Sequence, residues 1–179
     1  NLYKVYKEKE DQTTNIRTKD DESFKKEQQK KNELKGVILH HTAYTEPSLN
    51  EVHKYFMTKG NNSAHVVIGY NGERNIYASP EQVTFHAGKS NFKGRDNVND
   101  FMLGIEFQGD TNKKHLTEDQ IYSAVEYLYP IIVKNNIQLE NITTHHRVSG
   151  ERKPDINEQD YNAIIAILKQ KIYRNKLKE

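Results

Sequence analysis

Apolar positions along this chain recur with two periods. Val37-Ile38-Leu39 and Met102 to Phe107 are short apolar runs, and each reads as a buried strand. Ala64 to Tyr70 and Arg74 to Ala78 are β-rich and meet at Asn71-Gly72, a strong hairpin signal. Ile142 to Thr144 reads as one more short strand. Elsewhere the spacing is helical. Ile121, Val125, Leu128 and Ile132 follow the capping box Thr117-Glu118-Asp119-Gln120. Another capping box, Ser48-Leu49-Asn50-Glu51, predicts a helix running to about Lys59. Asn157 is placed to cap a last helix, with Tyr161, Ile164, Ile165, Leu168 and Ile172 on one face. Between these elements, Phe85 to Asp100 has neither period and reads as a long surface loop. Alternating strands and helices predict the α/β class: a single domain with a central mixed β-sheet flanked by helices.

The first 36 residues break the pattern. They hold ten Lys/Arg and eight Asp/Glu, with sparse apolar residues and no sustained period. Residues 1–34 are therefore expected to form a charged arm or tether, and residues 35–179 the folded domain. Glu22 to Lys31 has the composition of a solvated helix. The mixed signs argue against a nucleic-acid-binding arm, and the net charge of +2 gives no general case for nucleic acid or an anionic membrane as partner. No stretch approaches the ~18 apolar residues of a membrane span. Cysteine is absent, which excludes thiol catalysis, thiolate metal sites and disulfides together. The chain opens on Asn1 rather than Met, as expected of a processed or trimmed product.

Candidate chemistry lies where strands end. His40-His41 follows the run Val37-Ile38-Leu39, and His145-His146 follows Ile142-Thr143-Thr144. Asp155 lies in Arg152-Lys153-Pro154-Asp155. Two imidazoles and a carboxylate, with water in the fourth place, form a catalytic zinc set. Taken alone, each pair reads first as an ordinary surface or hydrogen-bonded His pair, and other metals also accept N and O donors. Glu106 is an acid inside an otherwise apolar strand, either paired structurally or tuned as a general base. Lys153, by itself an ordinary surface lysine, can reach the same edge and stabilise an oxyanion there. His86 in Phe85-His86-Ala87-Gly88 either touches substrate or caps the loop. His65 reads as structural, and His53 and His115 as surface residues.

Together these residues resemble the zinc-dependent N-acetylmuramoyl-L-alanine amidases, the superfamily of AmpD, bacteriophage T7 lysozyme and the peptidoglycan recognition proteins. Five segments carry the resemblance, which spans roughly Lys35 to Ile172. They are Val37 to Ala43, Ser63 to Ile68, Phe85 to Gly88, Gly94 to Gly109, and Thr144 to Asp155. No segment is specific alone, but their order and combination are. The fourth looks most like the AmpD branch. A Tyr that assists catalysis in the T7 lysozyme branch is replaced here by Ala64, and the AmpD branch has a Glu where Glu106 stands.

The resemblance implies one zinc ion held by His40, His145 and Asp155, with Glu106 and Lys153 catalytic. It also implies substrate contacts from His41, Phe85, His86, Ala87 and Asn99. The implied reaction is hydrolysis of the amide between N-acetylmuramic acid, or its anhydro form, and L-alanine of the peptidoglycan stem peptide. The expected partner is thus peptidoglycan or a muropeptide. Asp155-Ile156-Asn157 departs from the Asp-Pro-Gly usual in AmpD relatives. Gly69, Tyr70 and Asn97 stand near arginines of AmpD, some of which bind peptide carboxylates. The first departure keeps the carboxylate that zinc binding needs, and the second bears on which muropeptide is accepted, not on the amide chemistry. Two other readings are a muropeptide-binding protein without turnover and a zinc enzyme acting on unrelated amides. The charged arm suggests the cell envelope, periplasmic or lipid-tethered, with the cytoplasm as the other location.

Overall fold

The computed structural model describes residues 13–15, 30–45, 49–58 and 62–178. In chain order its elements begin with β1 (Thr13–Asn15), β2 (Gly36–His41), α1 (Leu49–Thr58), β3 (Val66–Ile68) and β4 (Arg74–Ile76). The two-residue strands β5 (Asn91–Phe92) and β6 (Arg95–Asp96) follow, then β7 (Met102–Phe107), α2 (Glu118–Lys134) and β8 (Ile142–Thr144). The short helix α3 (His145–Ser149) and the long α4 (Glu158–Lys176) complete the described chain. Six strands form a mixed sheet in the order β1-β4-β3-β7-β2-β8. Only the β3–β4 pairing is antiparallel. This is the mixed sheet flanked by helices expected from the pattern.

The period of two sorts the strand residues onto two faces. Val37, Leu39, Leu103, Ile105 and Phe107 join one core with Val125, Leu128 and Ile132 of α2 and Ile164 and Leu168 of α4. Leu128 and Leu168 are fully buried, each worth about 1.5–3 kcal/mol of transfer free energy. The opposite face carries Ile38 and Met102, packed with Ala87, Val98, Phe101 and Val148. Val67, on β3, packs there with Val52 of α1. His40 lies two residues beyond Ile38, and Glu106 four beyond Met102. Both therefore continue this second face, away from the two long helices.

Thr117 caps α2 through the full capping box with Gln120, and the Asn157 side chain caps α4. Ser48 and Lys59 lie outside the described residues, as does Glu22 to Gln29. The hairpin forms at Asn71-Gly72, where Gly72 has φ of +84° and its amide bonds the Gly69 carbonyl. Its strands are shorter than expected, three residues each. The expected loop 85–100 is more ordered than its pattern. It contains the β5–β6 hairpin and one 3-10 turn, and it buries Ala87, Ser90, Val98 and Asn99. The polar triplet of β1 pairs along the sheet edge, although no strand was expected there. Edge pairing uses backbone groups alone, so side-chain alternation does not mark it. Asn32 and Leu34 are buried, Asn32 through a bond from its side-chain amide to the Met102 carbonyl.

Candidate metal centre and cleft

Strands β2, β7 and β8 run parallel, so their C-terminal ends share one sheet edge. His40 is in register with Glu106, and Leu39 with Thr144, the residue before His145. Ligands in open α/β sheets bind at such an edge. The turn after α3 returns the chain to the same edge. There His146 donates to the Lys153 carbonyl through Nδ1, and its amide donates to the Asp155 carbonyl. The second histidine of the second pair thus anchors the segment that carries Lys153 and Asp155.

Three atoms converge. His40 Nδ1 lies 2.9 Å from His145 Nδ1, His145 Nδ1 lies 3.1 Å from Asp155 Oδ2, and His40 Nδ1 lies 3.4 Å from the same oxygen. All three residues are buried. Ligands at ~2.0–2.1 Å from a tetrahedral zinc lie about 3.3 Å from one another, so the spacing fits. The proton positions fit as well. His145 Nε2 lies 3.0 Å from the Ala87 carbonyl, which can only accept, so Nε2 carries the proton and Nδ1 is free to ligate. Burial pushes the His40 pKa down to about 4, so its ring is neutral near pH 7. Burial opposes the charge on Asp155, but the neighbouring rings of His145 and His40 outweigh it and hold the carboxyl well below its usual range whenever their Nδ1 atoms carry a proton rather than a metal. The His41 amide, 3.3 Å from Oδ2, adds to this. Two nitrogen lone pairs and a carboxylate aimed at one point form a cation site.

A cavity of about 450 Å³ opens onto this cluster. His40, His145 and Asp155 line it together with Glu106, Lys153, His41, Phe85 and His86. Thr42, Tyr44, Val52, Asn62 and Ser63 contribute the rest of the wall. Burial pushes the Glu106 pKa well above the usual carboxylate range; the Asp155 charge adds to this and Lys153 opposes it. Among the expected substrate residues, Phe85 is exposed at the cleft and His41 is buried. His41 is held by Thr111, whose amide and hydroxyl both reach its Nδ1, at 3.1 and 2.9 Å. Ala87 and Asn99 do not line the cleft. Asn99 spends its side-chain oxygen on the amides of His86 and Ala87, at 3.1 and 3.0 Å. His65 is structural, as expected, bonding the Gln82 carbonyl through Nε2 and the Gly104 amide through Nδ1. His115 is exposed beside Asp160, whereas His53 is half-buried against the Tyr77 hydroxyl.

Sequence reasoning missed two contributors. Thr111 ties His41 to the Asn157 amide at the start of α4, and no motif marks it. Gly104 leaves room for His86: a Cβ on Gly104 would meet the imidazole carbon Cγ at 2.4 Å. Its only sequence signal is a glycine inside a buried strand.

Two histidines and an aspartate at a parallel sheet edge, beside an acid and a lysine, form a centre compatible with a metal ion. Residues 30–158 match the family model Amidase_2, N-acetylmuramoyl-L-alanine amidase, and the chain belongs to this family. It is 37% identical over 109 residues to the 1,6-anhydro-N-acetylmuramyl-L-alanine amidase AmpD of Haemophilus influenzae, covering 59% of this chain and 58% of that protein. It is 28% identical over 137 residues to the N-acetylmuramoyl-L-alanine amidase AmiD of Escherichia coli, covering 68% of this chain and 48% of that protein. The chain spans about half the length of the curated relatives it matches. Its fold is similar to that of PlyL, with a TM-score of 0.68 at 19% identity, covering 89% of this chain and 97% of PlyL. The superfamily and the AmpD branch expected from the sequence are borne out. Among the described residues, no helix is long and apolar enough to cross a membrane.

Proposed function

We propose that this protein hydrolyses the amide between N-acetylmuramic acid, or its anhydro form, and L-alanine of the peptidoglycan stem peptide. The observation that carries the proposal is the convergence of His40 Nδ1, His145 Nδ1 and Asp155 Oδ2 in a cleft that Glu106 and Lys153 also line. Relatives named as amidases of this bond support the same substrate class. His40, His145 and Asp155 would hold one zinc ion. When bound, zinc supplies Lewis acidity, polarising a carbonyl and lowering the pKa of a coordinated water toward ~7.

The chain's own groups divide the remaining work. Glu106 takes the proton of the attacking water and passes it to the nitrogen of the departing L-alanine amine. A carboxyl that burial holds well above the usual carboxylate range suits both transfers. Lys153 stabilises the negative oxygen that develops on the lactyl carbonyl. His41 and Phe85 contact substrate from the cleft wall. The protein works in the cell envelope, where its substrate lies; within the charged residues 1–34, Thr13–Asn15 pair with β4 and Asn32 and Leu34 are buried, so the stretch is not a free arm throughout.

The test is to incubate the purified protein with a defined disaccharide-peptide and with its anhydro counterpart, with and without chelator. Mass spectrometry reads the products. The expected result is chelator-sensitive release of free stem peptide, and the preferred glycan identifies the physiological pool. No release from either substrate, with zinc shown to be bound, overturns the proposal in favour of a binding protein.

A further inference from the structure

Two imidazoles can share a metal only if each presents a bare nitrogen to the same point. One dipeptide of the loop after β4 controls both. The His86 imidazole lies over Gly104, with its Nε2 3.1 Å from the Met102 carbonyl. That carbonyl can only accept, so Nε2 carries the proton and Nδ1 of the neutral ring is an acceptor. His86 Nδ1 stands 2.8 Å from His40 Nε2, which must therefore donate. His40 is left with a bare Nδ1, the atom that faces His145 and Asp155. The next residue repeats the operation through its backbone: the Ala87 carbonyl accepts from His145 Nε2 and leaves His145 Nδ1 bare.

The dipeptide is itself clamped. Asn99 is buried, and its Oδ1 accepts from the amides of both His86 and Ala87. Arg152 donates to the Ala87 and Lys89 carbonyls at 3.3 and 2.7 Å. We propose that His86-Ala87, held by Asn99 and seated on Gly104, is a positioning element that sets the tautomer and direction of both ligand histidines. This rests on the reading of His40, His145 and Asp155 as a metal site. It gives His86, Ala87 and Asn99 a different task from the substrate contact expected of them. The two ligand histidines lie on separate elements, β2 and α3, and a single loop couples their aim.

The experiment measures zinc affinity of the full chain by chelator competition, together with the visible spectrum of the cobalt-substituted protein. Losing an outer-shell partner of a ligand typically weakens metal binding about 10–100-fold. His86→Ala and Asn99→Leu are expected to fall in that range. Gly104→Ala is expected to do the same without removing any polar group, because its methyl displaces the imidazole. Asn99→Asp keeps the acceptor and is expected to bind within about threefold of wild type. The cobalt spectra of the three weakened variants should differ from wild type in band position or intensity, which lost stability alone does not produce. Wild-type affinity in all three, or an Asn99→Asp loss equal to that of Asn99→Leu, overturns the proposal. Failure of the unmodified chain to bind zinc stoichiometrically defeats the metal-site reading instead.

Discussion

His65 offers a quantitative test of the buried polar layer behind the cleft. It is fully buried, accepts from the Gly104 amide and donates to the Gln82 carbonyl. Burial pushes its pKa from 6.5 down to about 4, and the two backbone hydrogen bonds only partly oppose this. Because the folded pKa is depressed, the unfolded chain binds the proton first. Stability is therefore fully present above pH 6.5 and is lost progressively as pH falls toward 4. At ~1.36 kcal/mol per pH unit the full loss is about 3.4 kcal/mol, of which about 2.4 kcal/mol falls between pH 7 and pH 4.5. His40 and His86 act in the same direction, so the measurement is a difference between two chains. His65→Gln cannot take up a proton and cannot satisfy both backbone groups at once. It should be less stable than wild type at pH 7, and the gap should narrow by about 2 kcal/mol at pH 4.5. Urea unfolding of both chains at the two pH values reads this directly. A gap that stays constant with pH refutes the argument, because it would mean that His65 carries the same charge in the folded and unfolded chains.

Three further outcomes are expected. Glu106→Gln keeps the side-chain shape and removes the proton acceptor, so turnover should fall about 10²–10⁴-fold with zinc content unchanged; a variant that still turns over normally removes Glu106 from the mechanism. Lys153→Ala should lower kcat by about 10²–10³-fold, the loss typical of one oxyanion donor, and an unchanged rate makes the lysine a bystander. Thr117 caps α2 and also donates to the Tyr70 carbonyl at 2.6 Å, so Thr117→Ala should cost about 1–2 kcal/mol in urea unfolding with no change in zinc affinity.

Much of the architecture was legible because its signals are local. The run Met102 to Phe107 became β7 at the expected ends, and the Thr117 box became a capped helix at the expected residue. Both depend on backbone and side-chain preferences within a few residues. The edge strand β1 and the small hairpin inside loop 85–100 carried no such period, since they are held by backbone pairing and by contacts with distant segments. The site was legible in part. A polar pair just after an apolar run is unusual enough to single out His40-His41 and His145-His146, and the order of the segments assigned them to a family. The tasks of individual residues were harder to read, as Asn99 shows. Its partners are backbone amides that no side-chain pattern records.

The sequence alone determined the main buried strands and the two long capped helices, which faces these bury, and that acids and histidines stand at strand ends. Those properties follow from periods of two and 3.6 and from caps, all of which act over short stretches of chain. Only the tertiary structure decided that β2 lies between β7 and β8, which brings His40 within 2.9 Å of His145 across 105 residues of chain. It also decided which nitrogen of each ring faces the centre. A histidine's tautomer is set by the partner of its other nitrogen, and here those partners, Ala87 and His86, lie on a loop far from both ligands in sequence.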